Sequence, residues 1–160
     1  MGRVFSGKEL IDVAIGIEKN GVAYYGSLAD SSSDSEIKGM YRQLAEQEKK
    51  HIQIFQTMLG NVGDYQPLET YPEEYSAYLK ALTDSAVFTS DQSARDTAKK
   101  VSSATEAINI GLTAEKDSIL FYSEMRDLVK PAERDTIDNI IQEEKMHMRQ
   151  LNHLKSTLRQ

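Results

Sequence analysis

The sequence predicts an all-α protein: a bundle of four helices, built as two helical hairpins joined by a long crossover that carries an accessory helix. Three observations lead there. Apolar residues recur at i, i+3, i+4 and i+7 in four separate stretches. Glycine and proline are sparse, nine and three in 160 residues, so those stretches run without breakers. One pattern of apolar and acidic positions also occurs twice, 96 to 97 residues apart.

The first hairpin is expected over residues 6–60. Ser6-Gly7-Lys8-Glu9 reads as a capping box at a helix start. Leu10, Ile11, Ala14, Ile15, Val22, Tyr25 and Ala29 then form one stripe, with Glu18 in its middle. An ionised carboxylate in a core stripe costs several kcal/mol unless something compensates it. The run from Asp30 to Glu36 ends this helix, and Ser33 with Glu36 is expected to cap the next. That helix carries Ile37, Tyr41, Leu44, Ile52, Phe55 and Met58, and runs to about Leu59, where Gly60-Asn61-Val62-Gly63 stops it. On the same face stand Glu48 and His51, one turn apart.

Residues 61–102 are too long for a direct turn between packed helices. Pro72-Glu73-Glu74 opens a short amphipathic segment with Tyr75, Tyr78, Leu79, Leu82 and Ala86. The polar stretch Thr89 to Lys100 shows no clear pattern. A crossover of this length suits a bundle whose second and third helices run parallel.

The second hairpin is expected over residues 103–158. Ser103-Ala104-Thr105-Glu106 is another capping box, followed by Ile108, Gly111, Leu112, Glu115, Ile119 and Tyr122. Subtracting 97 from each gives Ile11, Ala14, Ile15, Glu18, Val22 and Tyr25. Pro131 suits the first turn of the last helix, whose Glu144 and His147 match Glu48 and His51 after subtraction of 96. Glu18 and Glu48 lie symmetrically about the serine turn, and Glu115 and Glu144 about Lys130-Pro131. In each hairpin both glutamates are therefore roughly 22 Å from the turn at 1.5 Å per residue, and they meet at one level.

Four glutamates and two histidines are thus brought to one height in the interior. Four carboxylates balance two divalent cations. One Glu from each of two helices plus Glu-x-x-His from each of the other two is the ligand pattern of carboxylate-bridged di-iron and di-manganese bundles. The candidate metal ligands are Glu18, Glu48, His51, Glu115, Glu144 and His147, and the four glutamates are also the candidate catalytic groups. Oxygen-rich ligation with one imidazole per metal suits two ions of iron or manganese better than zinc or copper, although the affinity order alone admits zinc. Tyr25 and Tyr122 read as core aromatics with hydrogen-bonded hydroxyls, and His153 as a surface residue.

Composition narrows the function classes. A net charge of −6 argues against nucleic acid and against an anionic membrane surface. The absence of cysteine excludes disulfides, thiolate metal sites and thiol catalysis. With no long apolar run or leader-like segment, a cytoplasmic protein is the expectation.

The segments Ala14-Ile15-Gly16-Ile17-Glu18-Lys19, Glu46-Gln47-Glu48-Lys49-Lys50-His51, Thr113-Ala114-Glu115-Lys116-Asp117 with Phe121-Tyr122, and Glu143-Glu144-Lys145-Met146-His147 resemble the rubrerythrin-like branch of the ferritin-like superfamily. The resemblance spans all four expected bundle helices and leaves only the crossover uncovered. It implies a di-iron site with Glu48 and Glu144 as bridging ligands, and redox chemistry in which ferrous iron reduces hydrogen peroxide or dioxygen. Two departures qualify it. The cysteine-rich electron-feeding module of full rubrerythrins has no counterpart, so a separate electron-donor protein is implied. Ser118 also stands where those proteins place an extra glutamate. Lys49 occupies the position where the similar bacterioferritins carry a haem-ligating Met, so no haem is expected. A homodimer is expected, with the aromatic segment Tyr71 to Phe88 as a possible cover for its interface. Two other functions compete with the oxidoreductase: an iron-handling ferroxidase, and a metal-stabilised scaffold or sensor without turnover.

Overall fold

The four stripes fold as four long helices because each finds another stripe to cover it. The computed structural model describes residues 5–67 and 73–158. Helix α1 spans Gly7–Ser31, α2 Ser35–Val62, α3 Glu73–Asp84, α4 Asp91–Lys100, α5 Ala104–Leu128 and α6 Arg134–Leu158. A 3-10 turn, Pro131–Glu133, leads into α6. Helices α1 and α2 pack as one hairpin, α5 and α6 as the other, and α1 also meets α5. Among the described residues there is no strand, and no helix is long and apolar enough to cross a membrane.

The helix ends refine the expectations. Ser6 and Glu9 form the capping box, with Ser6 Oγ accepting from the Glu9 amide at 3.0 Å and Glu9 Oε2 from the Ser6 amide at 2.8 Å. The cap of α2 is Asp34, not Ser33: Asp34 Oδ1 accepts from the amides of Glu36 and Ile37 at 2.9 and 3.0 Å. A carboxylate is the stronger acceptor, and it places its charge at the positive end of the helix dipole. Ser103 caps α5, but the Glu106 carboxylate turns to the amide and hydroxyl of Ser102 and not to Ser103. Helix α2 runs past Leu59 to Val62 and stops at Gly63, whose φ of 54° only glycine adopts without strain. Pro131 opens the 3-10 turn, so α6 proper begins three residues after it.

The crossover contains two helices where one was expected. Helix α3 buries Leu79 and leaves Tyr78 42% exposed, while the Tyr75 hydroxyl donates to Glu124 on α5. Tyr71 and Pro72 lie outside the described residues. The polar stretch beyond forms α4, capped by Ser90 and packed on α1 through Ala94 and Ala98. Its buried face consists of two alanines, too small to stand out as a hydrophobic stripe. They let α4 lie close against α1.

The core is divided. Leu10, Ile11, Phe55, Met58, Met125 and Ile137 belong to one apolar cluster; Tyr24, Leu28, Tyr41, Leu44, Ile108 and Leu151 belong to the other. On every bundle helix the acidic position falls between its contributions to the two clusters. Stripe members at the edges, among them Val22, Ile37, Ile52 and Ile119, are half-buried, as are Met148 and Leu154 on α6.

The cap assignment makes a direct prediction. Asp34→Ala should destabilise the protein by about 1 kcal/mol in denaturant unfolding, and Ser33→Ala should stay within about 0.5 kcal/mol.

Candidate metal centre

In the gap between the two apolar clusters the structure brings together all six residues singled out from the sequence. Glu18 comes from α1, Glu48 and His51 from α2, Glu115 from α5, and Glu144 and His147 from α6. None is more than 3% exposed. They form two overlapping groups, each able to hold a metal ion: Glu18, Glu48, His51 and Glu144, and Glu48, Glu115, Glu144 and His147. Within each group one donor atom per residue lies within 4.8 Å of all the others. Glu48 and Glu144 are common to both. His153 is exposed and outside the cluster.

Both imidazoles present Nδ1 to the carboxylates. His51 Nδ1 lies 2.9 Å from Glu144 and 3.3 to 3.4 Å from Glu48 and Glu18; His147 Nδ1 lies 3.4 to 3.6 Å from Glu144, Glu48 and Glu115. Neither nitrogen makes an aligned hydrogen bond, and one oxygen of Glu48 and both of Glu144 also lack one. Buried polar atoms are ordinarily paired. Buried atoms left without partners and converging from four helices become, once deprotonated, donors suited to cations, and oxygen with imidazole nitrogen is a donor set that iron, manganese or zinc accepts.

Two tyrosines close the site across the hairpins. The Tyr25 hydroxyl, on α1, donates to Glu115 on α5 at 2.5 Å, and the Tyr122 hydroxyl, on α5, donates to Glu18 on α1 at 2.5 Å. Burial and the neighbouring carboxylates hold both phenols well above their usual range, so they remain donors. Hydrogen-bonded hydroxyls were expected of this pair; their partners were not. The repeat could have suggested them, since the two tyrosines differ by the same 97 positions as the two glutamates.

The sequence reading missed a further role. Glu143 Oε2 lies 2.6 Å from His51 Nε2. A carboxylate there fixes the imidazole with its proton on Nε2 and leaves Nδ1 free to ligate. The counterpart of Glu143 in the first hairpin is Gln47, and neither Gln47 Oε1 nor His147 Nε2 has a partner. The repeat is therefore broken in the layer behind the ligands.

Charge within the cluster is sorted by position. Burial, reinforced by the charges of Glu48 and Glu144, raises the carboxyls of Glu18 and Glu115. Burial alone would also raise Glu48 and Glu144, but the groups facing them, His147 and His51 for Glu48 and Glu115 with the two histidines for Glu144, outweigh it and hold both below the carboxylate range. For His51 and His147, burial acts downward, and the surrounding carboxylates overcome it to push both imidazoles up. Without metal the cluster thus neutralises itself with its own protons.

This architecture, two hairpins each giving a Glu and a Glu-x-x-His to one buried cluster, defines a ferritin-like bundle of the di-metal carboxylate class. The chain belongs to the rubrerythrin family, whose family model matches residues 9–155. It is also similar to a crystal structure from Thermotoga maritima described as that of a candidate ferritin-like diiron-carboxylate protein, with 29% identity over 98% of each chain and a TM-score of 0.72. No curated protein matches the chain.

Since Glu18, Glu115, His51 and His147 are all shifted toward holding their protons, metal loading near neutral pH should release protons. Affinity should accordingly rise with pH. Calorimetric titration in buffers of different ionisation enthalpy measures the proton count, and no buffer dependence would contradict it.

Proposed function

We propose that the chain is a non-haem oxidoreductase that reduces hydrogen peroxide or dioxygen at a carboxylate-bridged pair of iron ions. The observation that carries this reading is the pair of overlapping four-residue groups sharing Glu48 and Glu144. Glu18 and His51 would complete the sphere of one ion, Glu115 and His147 that of the other, with Glu48 and Glu144 reaching both. Bound ferrous iron supplies two electrons, one per ion. Six protein ligands divided between two metals would leave coordination positions for a small oxidant.

The chain's own residues supply the rest. Tyr25 and Tyr122 orient Glu115 and Glu18 and stand as protonated hydroxyls beside the cluster. The apolar clusters on either side exclude water and keep the electrostatic interactions strong. Chemistry of this kind consumes electrons, and the reading includes a separate electron-donor protein, since these 160 residues hold no cysteine for a thiolate-bound redox centre. A cavity reaching the carboxylates of Glu18, Glu48 and Glu115 favours turnover over a purely structural metal.

Anaerobic protein loaded with ferrous iron should bind about two ions per chain and be oxidised by peroxide, seen as ferric absorption. Glu115→Ala should remove one ion and abolish fast oxidation. Full loading with no oxidation by peroxide or dioxygen would leave the scaffold reading in its place.

Glu143→Gln should weaken one of the two binding steps by about 10- to 100-fold and leave the other near its original value, as read from a metal titration.

A further inference from the structure

A cavity of about 500 Å³ opens between α1 and α5. Its inner end is formed by the buried carboxylates of Glu18, Glu48 and Glu115. Its walls carry apolar side chains, Val13, Ile17, Ala114 and Phe121 from the two helices and Leu82 and Val87 from the crossover, interspersed with Asn20, Thr83, Asp117 and Ser118. Exposed Lys19, Thr89, Ser90 and Asp91 rim the mouth.

The repeat explains why space exists there. Three residues after each terminal glutamate stand Gly21 and Ser118, another pair separated by 97. A Cβ at position 21 would come within 3.2 Å of Glu48 Cγ. The Ser118 hydroxyl turns back onto its own helix, donating to the Ala114 carbonyl at 3.0 Å. Both positions therefore leave the route to the carboxylates open.

The outer wall is tied down by the preceding pair, Asn20 and Asp117. Asp117 Oδ2 accepts from the Val87 amide at 2.9 Å, and Asn20 Nδ2 donates to the Phe88 carbonyl at 3.4 Å. The Phe88 ring packs on Tyr24 with centroids 4.7 Å apart. One residue from each hairpin thus holds the strap between α3 and α4 across the opening. The cavity is a built compartment.

Its size exceeds what hydrogen peroxide needs. That molecule has two heavy atoms, and a water's share of liquid volume is about 30 Å³. The cavity is in the range of about 300 to 1,000 Å³ typical of sites for organic ligands, and beside polar groups such as Asn20, Thr83, Asp117 and Ser118 it offers apolar side chains that a small polar oxidant would leave uncovered.

We propose that the cavity binds an organic hydroperoxide, ROOH, with the hydroperoxyl group at the Glu18, Glu48 and Glu115 end and the hydrocarbon among Ile17, Val87 and Phe121. The assignment rests on the peroxide-reducing reading above and names its substrate class. In the reaction the O–O bond breaks, two ferrous ions are each oxidised by one electron, and two protons are taken up from solvent: ROOH + 2 Fe²⁺ + 2 H⁺ gives ROH + H₂O + 2 Fe³⁺. The alcohol leaves through the mouth. Each methylene buried along the walls should raise affinity about fourfold.

The test compares cumene hydroperoxide, tert-butyl hydroperoxide and hydrogen peroxide as oxidants of the ferrous-loaded protein. Oxidation by cumene hydroperoxide should saturate, and below saturation it should exceed that by the smaller tert-butyl compound at least about tenfold. Gly16 lines the cavity, and a Cβ there would meet no atom within 4 Å; Gly16→Phe should lower the ratio of cumene hydroperoxide rate to hydrogen peroxide rate about tenfold. A readout without turnover is titration of 2-phenyl-2-propanol, the alcohol product, into the zinc-loaded protein, followed by the amide resonances of Ile17, Val87 and Phe88. Saturable shifts at these positions are expected, and this measurement on the unsubstituted protein decides the matter even where Gly16→Phe fails to fold. Oxidation by hydrogen peroxide with no preference for cumene hydroperoxide and no alcohol-induced shifts overturns the cavity assignment alone. Oxidation by none of the three peroxides overturns it together with the reading on which it rests.

Discussion

Four carboxyl groups are buried in the middle of a core that would otherwise be continuous hydrocarbon, and the rest of the molecule is arranged to make that tolerable. Glu18, Glu48, Glu115 and Glu144 are each at most 3% exposed. A single ionised carboxylate so placed is strongly unfavourable. Two histidines, two phenols and shared protons offset the charge, and each compensating group has to stand at the same level along the bundle. That requirement fixes the register of all four helices. It also divides the apolar residues into one cluster on each side of the polar layer.

Large features of this arrangement were readable from residue spacing, because they repeat. The four bundle helices, the turn positions and the convergence of six polar side chains all follow from a 3.6-residue period and a 96- to 97-residue offset. What escaped was local or small. Helix α4 packs through Ala94 and Ala98, which carry little hydrophobic signal among the charged and hydroxylated residues around them. Asp34 and Ser33 are both competent caps, and one residue of phase decides between them. The bonds from Tyr25 to Glu115 and from Tyr122 to Glu18 join chain positions 90 and 104 residues apart, which periodicity along a single helix cannot reveal.

Departures from the repeat carry as much meaning as the repeat. Gln47 and Glu143 occupy equivalent positions, yet only Glu143 puts a carboxylate behind an imidazole. The two halves of the site are alike in their innermost groups and unlike in the layer that tunes them. Asn20 and Asp117 likewise differ in charge while holding neighbouring atoms of one strap. A chain that duplicates a hairpin can keep the geometry and diversify the supports.

The two tyrosine bonds have a consequence for assembly. Each terminal glutamate is held by a hydroxyl from the opposite hairpin, so the site reports whether two complementary hairpins have met and is indifferent to whether one backbone joins them. Two copies of a single hairpin related by a two-fold axis would satisfy the same reciprocal contacts, since residue i meets j and j meets i across such an axis. The crossover then acts chiefly as a tether that raises the local concentration of one half about the other. In a crowded folding mixture, that tether is what favours a site closed within one chain over a site closed between two.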